Sequence, residues 1–143
     1  MLLAEQIVAE YLRNEDIGTN PVDEGPWPIF VGRLPTTPDA VIAVHRDSVP
    51  TQGRHHGTGE TIHQEGLQIR VRHKEYTEGQ QKILEISLNF DTIVRKILSV
   101  GVKQYRIQSI SQFSTPMFIG PDPNNRCNFV LNCLASIAEL QSA

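Results

Sequence analysis

Cysteine is scarce in this sequence, long apolar runs are missing, and positive charge is not in excess; each shortage removes a class of protein. The two cysteines, Cys127 and Cys133, lie in a segment that alternates like a strand, which puts them about 20 Å apart on one face. A disulfide needs Cα atoms within about 7 Å, so the alternation excludes an internal bridge and, with it, a shared metal site. Both read as small core residues. The longest unbroken apolar run is five residues, Ala40 to Val44, against the roughly 20 that a bilayer crossing requires. No membrane span is expected. Thirteen Lys and Arg against sixteen Asp and Glu leave a formal charge of −3, so no global positive field draws the chain to nucleic acid. Glu5 and Glu10 interrupt the apolar N-terminal pattern, and no basic leader precedes it, as a secretory signal would require. The expectation is a protein made and used in a cytoplasm, or released by lysis.

With 143 residues and 16.0 kDa, the chain reads as one domain over 1–143, and roughly two-thirds of the unfolded surface can be hidden on folding. Leu3, Ile7 and Tyr11 recur at intervals of four with Val8 and Leu12 beside them, while Glu5, Gln6, Glu10 and Arg13 take the other face. This predicts an amphipathic helix over 2–13. Six of the nine prolines fall between 21 and 50, which predicts an extended connector with two short strands, Ile29 to Arg33 and Ala40 to Arg46, separated by a turn. Residues 47–65 carry only Val49 and Ile62 as large aliphatics, so a long polar loop is expected, mobile in the free subunit and ordered on assembly. A strand opening at Gly66 puts Leu67, Ile69 and Val71 on one side and Gln68, Arg70 and Arg72 on a basic side.

Thr77 and Gln80 stand at capping-box spacing, and Ile83, Ile86, Phe90, Ile93, Val94 and Ile97 keep the helical period. A long central helix ending at Gly101 is predicted. Strands follow over 103–111 and 116–120; Tyr105 and Ile107 share a face that Ile110 misses, which calls for a bulge. From Cys127 to Ile137 the alternation is unbroken, and a partly apolar second face marks a central strand. The order α-β-β-β-α-β-β-β predicts an α+β fold, a mostly antiparallel sheet with both helices on one face. Its core should join Cys127, Phe129, Leu131 and Cys133 to Ile83, Ile86, Phe90, Ile93 and Ile97.

No catalytic constellation stands out. All five histidines, His45, His55, His56, His63 and His73, lie in one stretch, but without zinc-ligand spacing, so surface histidines and no metal are expected. The Gly57-Thr58-Gly59-Glu60 segment lacks the ending of a phosphate loop, and Asp122-Pro123-Asn124-Asn125 lacks the Gly and closing Glu of a calcium loop. No cofactor is expected. Arg70, Arg72, His73 and Lys74, with Arg46, Arg54 and Arg106, form a basic stripe without aromatic stacking positions, better suited to a protein contact than to DNA.

Three segments together carry a resemblance: Gly25-Pro26-Trp27-Pro28-Ile29-Phe30-Val31-Gly32-Arg33-Leu34-Pro35, then Gly66-Leu67-Gln68-Ile69-Arg70-Val71-Arg72, then Pro116 to Asp122 with Arg126 to Leu131. In this order the chain resembles the minor capsid and tail terminator proteins of long-tailed bacteriophages. The resemblance implies an α+β virion subunit, assembled in the host cytoplasm as a hexameric ring on the tail tube. That ring would stop tube polymerisation, contact the tail tube protein and a head-tail connector or stopper protein, and let DNA pass without specific binding. No catalytic residues come with it. Arg33, Arg70, Arg72 and Arg126 are the expected subunit or partner contacts, because guanidinium forks suit interfacial carboxylates. Two rivals stand beside this reading, a connector or stopper of the neck and a small metal-dependent enzyme.

Overall fold

The first helix forms where the apolar period of four begins. In the computed structural model, which describes residues 3–47 and 62–140, α1 covers Ala4–Asn14 and buries Ile7, Val8, Tyr11 and Leu12. Gln6 closes its start, Oε1 accepting the Leu3 N–H at 3.1 Å. Two residues depart from the expected faces. Leu3 is half-exposed, and Glu5 is buried because Arg46 of the neighbouring strand reaches its carboxylate at 3.4 Å.

A 3-10 turn, Pro21–Asp23, precedes β1 (Ile29–Val31) and β2 (Val41–Arg46). The Pro-rich connector is pinned by Trp27, whose ring lies 5.2 Å from that of His73 and carries the Lys82 ammonium 5.2 Å from its centroid. The two strands pair in parallel. They are therefore not the two arms of a hairpin, and residues 32–40 return the chain to the starting end. Next, β3 runs Ile62–His73, four residues earlier than Gly66. Residues 62–65 are thus strand, drawn into pairing by β7 from Ile62↔Ala138 onward. The rest of the expected polar loop, 48–61, lies outside the described residues, as do its predicted mobility and His55 and His56.

The second helix, α2, covers Tyr76–Asp91 and starts after Glu75, whose N–H donates to His73 Nδ1 at 2.8 Å; no side chain caps it and no capping box forms at Thr77. It also stops ten residues before Gly101. The Thr92 N–H and hydroxyl both donate to the Asn89 carbonyl, and Arg95 turns the chain at φ 49°. The chain then continues as β4 (Lys96–Val100), paired with β5 (Lys103–Gln112) around Gly101, whose φ of +65° a side chain would disfavour. Val94 and Ile97, expected on the buried helical stripe, are 81 % and 54 % exposed.

β6 (Met117–Pro121) and β7 (Cys127–Leu140) complete the chain. The sheet path is β1-β2-β3-β7-β5-β4, with β6 also on β7, and every pairing but β1 with β2 is antiparallel. The fold is α+β. β7 is central, as its two apolar faces suggested, and the expected bulge falls between Ile107 and Ser109, which returns Ile110 to the buried side. Helix α1 touches β1 and β2 at one end of the path and β4 at the other, so the sheet is curled. A single cluster joins both helices to Leu67, Ile69, Val71, Tyr105, Ile107, Phe129, Leu131 and Cys133. Cys127 is only partly buried at its margin, and both cysteines are free.

Candidate functional site

The four arginines expected at contacts divide into two pairs. Arg126 follows the turn between β6 and β7, where Asp122 Oδ1 accepts the Asn124 and Arg126 N–H groups at 2.9 Å each and Oδ2 accepts Arg126 Nε at 2.8 Å. Its Nη1 then donates to the Thr36 carbonyl at 2.5 Å and lies 3.4 Å from Asp39. Arg72, on β3, reaches the same loop, Nη2 donating to the Pro38 carbonyl at 2.6 Å and Nε to that of Asp39 at 3.4 Å. Both are buried. Burial, and after it the Arg126 charge, lowers the Arg72 guanidinium pKa, with Asp122 and Asp39 opposing. These two forks hold the 36–39 loop against the sheet and are spent within the chain.

The other pair is at the surface. Arg70 is half-buried and donates to Gln68 Oε1 at 2.8 Å, while Arg33 is exposed with its guanidinium 5.5 Å from the Phe30 ring centre. Phe30 pairs with Ala43, and Ala43 with Arg70, so the two arginines share the helix-free face of the sheet. Amides line that face, Gln68 bonding Asn132 at 3.2 Å and Gln64 bonding Ser136 at 3.4 Å. His45 is there too, its pKa lowered by burial and then by Arg70. Among the described strand residues, this face bears arginines and no carboxylate.

A cleft of about 540 Å³ between the start of α1 and the ends of β1 and β2 is lined by Leu3, Glu5, Val31, Gly32, His45 and Arg46, a carboxylate, an imidazole and a guanidinium without a hydroxyl or thiol nucleophile. Among the described residues no three His, Cys, Asp or Glu come together as a metal site.

A surface the sequence reading passed over is the free edge of β6. Among the described strands, three have an edge without a strand partner. On β1 that edge is occupied, Arg13 Nη2 donating to the Ile29 carbonyl at 2.8 Å and the Ile29 N–H to the Thr19 carbonyl. β4 is flanked by Arg95, Lys96 and Lys103, the charges that keep strand edges from pairing. β6 has no charged residue and is blunted only by Pro121 and a bulge between Phe118 and Gly120, while Met117, Phe118 and Ile119 are all nearly half-exposed. Tyr76 stacks edge-on against Phe118 at 5.1 Å, and Phe118 lies 5.4 Å from Phe129, so the exposed patch is anchored to the core. Three consecutive large apolar residues cannot all face inward from a strand. That was the signal in the sequence.

A family model described as bacteriophage tail terminator protein matches residues 11–139. The chain belongs to the bacteriophage tail terminator family. The matched span begins within α1 and includes α2 and all but the last residue of the sheet, so it covers the fold rather than a local motif. No curated protein matches the chain. As a tail terminator family member it is a structural protein of the phage tail and a component of the virion, from a family that is not one of enzymes.

Proposed function

We propose that the chain is the subunit of a hexameric ring that caps the head-proximal end of the tail tube, ends tube polymerisation and joins tail to head. The family match over 11–139 carries this reading. The surface supports it: one sheet edge exposes large apolar side chains and bears no charged one, and among the described residues no catalytic grouping competes for the assignment. One ring face meets the tail tube protein and the other a head-tail connector or stopper protein. DNA passes through the ring without sequence-specific contact, in keeping with a net charge of −3. Of the four arginines expected at contacts, Arg33 and Arg70 are the two available to other chains; Arg72 and Arg126 shape the surface from within. The protein assembles in the host cytoplasm and stays in the virion.

The test is the native mass of the purified protein, alone and with tail tube protein, by light scattering. Six copies of the 16.0 kDa chain amount to about 96 kDa. A particle of that mass, or its appearance on tube ends, is the expected result. One subunit in both conditions would overturn the ring.

A further inference from the structure

We infer that neighbouring subunits meet flank to flank, the outer side of α2 in one copy seated in the cleft between α1 and β2 of the next. This rests on the ring reading and names the surfaces that build it. Ser87 Oγ donates to Gln112 Oε1 at 2.7 Å and Gln112 Nε2 to Asp91 Oδ1 at 2.8 Å, so this side of α2 faces the β5 edge. Leu84 stands three residues before Ser87 and Leu88 three before Asp91, which puts both on the same side of the helix. The opposite side is engaged within the chain, Lys82 Nζ donating to the Ile17 carbonyl at 3.0 Å and the Tyr11 hydroxyl to Asn89 Oδ1 at 2.5 Å. Leu84, Leu88 and Phe113, the residue after Gln112, are 43 %, 66 % and 55 % exposed. β4 pairs no further along β5 than Ile107, so no described strand covers this edge from Ser109 to the end of β6. The result is an apolar shoulder that runs on into the exposed side chains of β6.

The cleft supplies the matching surface. Leu3 and Val31 give it apolar walls, and Arg46 and the exposed Arg33, two residues beyond Val31, give it cations. Arg46 Nε lies 3.4 Å from Glu5 and 4.0 Å from Glu65, but those carboxylates are 6 % and 17 % exposed against 46 % for the guanidinium, so the charge offered to a neighbour is positive. On the shoulder, Asp91 is exposed and makes no ion pair among the described residues. Shoulder against shoulder would bring carboxylates together, and cleft against cleft would bring guanidinium groups together. Shoulder in cleft joins apolar to apolar and sets Asp91 near cations, so complementarity selects the unlike contact.

Position agrees with this choice. Arg46 lies opposite Leu67, Leu67 opposite Cys133, and Cys133 opposite Gln112, one row across β2, β3, β7 and β5. The cleft stands at one end of this row and the shoulder at the other, three strand spacings or about 14 Å apart along the backbone. β2 and β5 lie on opposite sides of β7, so the two surfaces open on opposite flanks of the subunit. Unlike surfaces on opposite flanks repeat head to tail, and the repeat closes into a ring when the rotation permits.

The test uses two full-length double variants whose native mass is measured by light scattering under the condition in which wild type assembles, with circular dichroism confirming the fold. Leu88→Glu with Phe113→Glu spoils the shoulder, and Leu3→Glu with Arg33→Glu spoils the cleft. Each alone is expected to stay a single subunit of 16.0 kDa. Mixed one to one, they should form a particle of two subunits, about 32 kDa and no larger, because one intact shoulder meets one intact cleft and nothing is left to extend it. Should the first variant fail to fold, Leu84→Ser with Leu88→Ser, at two exposed helical positions, takes its place. In a chain too dilute to assemble, Leu88 lies in water, so its replacement changes native mass and leaves the unfolding of the single subunit as it was. Pairs formed by the cleft variant alone would mean that shoulder meets shoulder and would overturn the inference. Both variants assembling like wild type, or no pair from a mixture of folded variants, would overturn it too, and each of these outcomes leaves the ring standing. A wild type that stays a single subunit, alone and with tube protein, would overturn the ring and this contact together.

Discussion

Replacing Phe90 by Ala tests the packing of α2 directly, because the helix offers its own control two residues away. Phe90 is 1 % exposed and belongs to the cluster that includes Ile83, Ile86, Phe129 and Leu131, whereas Leu88 on the same helix is 66 % exposed. Truncating a buried Phe costs roughly 3 to 5 kcal/mol, from lost transfer energy and the cavity left behind. Unfolding entropy of about 2.1 cal/mol/K per residue sums over this chain to about 0.3 kcal/mol/K. A loss of about 4 kcal/mol should therefore lower Tm by about 13 °C. Leu88→Ala removes a side chain that is mostly in water and should stay within about 0.5 kcal/mol, a shift below about 2 °C. Thermal and urea unfolding at one fixed protein concentration would measure both, since assembly makes apparent stability depend on concentration. A loss below about 1 kcal/mol for Phe90→Ala, or an equal loss for Leu88→Ala, would refute the assigned helix face.

Gly79→Ala should destabilise despite the better helix propensity of Ala, because the added Cβ would sit 2.6 Å from Phe129 Cε2 and 3.1 Å from Cδ2; a higher Tm would show that the ring moves aside freely. Burial pushes the Cys133 thiol up to about 12 from 9.0, and burial followed by the Glu15 charge pushes Tyr11 up to about 12 from 10.0, against the Asn89 hydrogen bond. The folded chain then holds these protons longer than the unfolded chain, so this stability is complete below pH 9.0 and is lost as pH rises towards 12. Urea midpoints that hold level across that range would contradict it. The same burial should keep Cys133 unreactive to a thiol reagent at pH 8 until urea is added, with no reductant needed. Arg126→Met should free the 36–39 loop and raise its cleavage in limited proteolysis, since the Thr36 carbonyl and Asp39 lose their donor; unchanged cleavage would mean that Arg72 suffices.

The elements legible in the sequence were those whose burial has one period. Eleven residues of alternation gave β7 and its central place, because a strand paired on both edges and covered on one face must show it. The phase break between Ile107 and Ile110 revealed the bulge for the same reason. The helix end was misread because Val94 and Ile97 continue the period of Ile83, Ile86 and Phe90 by coincidence. Periodicity records spacing, whereas exposure at Val94 and Ile97 comes from a turn at Thr92 to Arg95 that period alone does not register. Gly101 suited either a helix end or a hairpin, since both use a left-handed residue. The parallel pairing of β1 with β2 depends on the path of 32–40, which short strands do not encode. For the arginines, residue type was informative and partner was not. Arg72 and Arg126 bind carbonyls 34 and 90 residues away, contacts that exist only once the fold has formed.

The central claim, that this tail protein ends the tube and joins it to the head, is tested most directly by electron microscopy of lysates from a phage lacking it. Filled heads beside unjoined tails, many of them longer than normal, are the predicted result, with normal virions restored when the protein is supplied in trans. Tails of normal length joined to heads in its absence would contradict the claim.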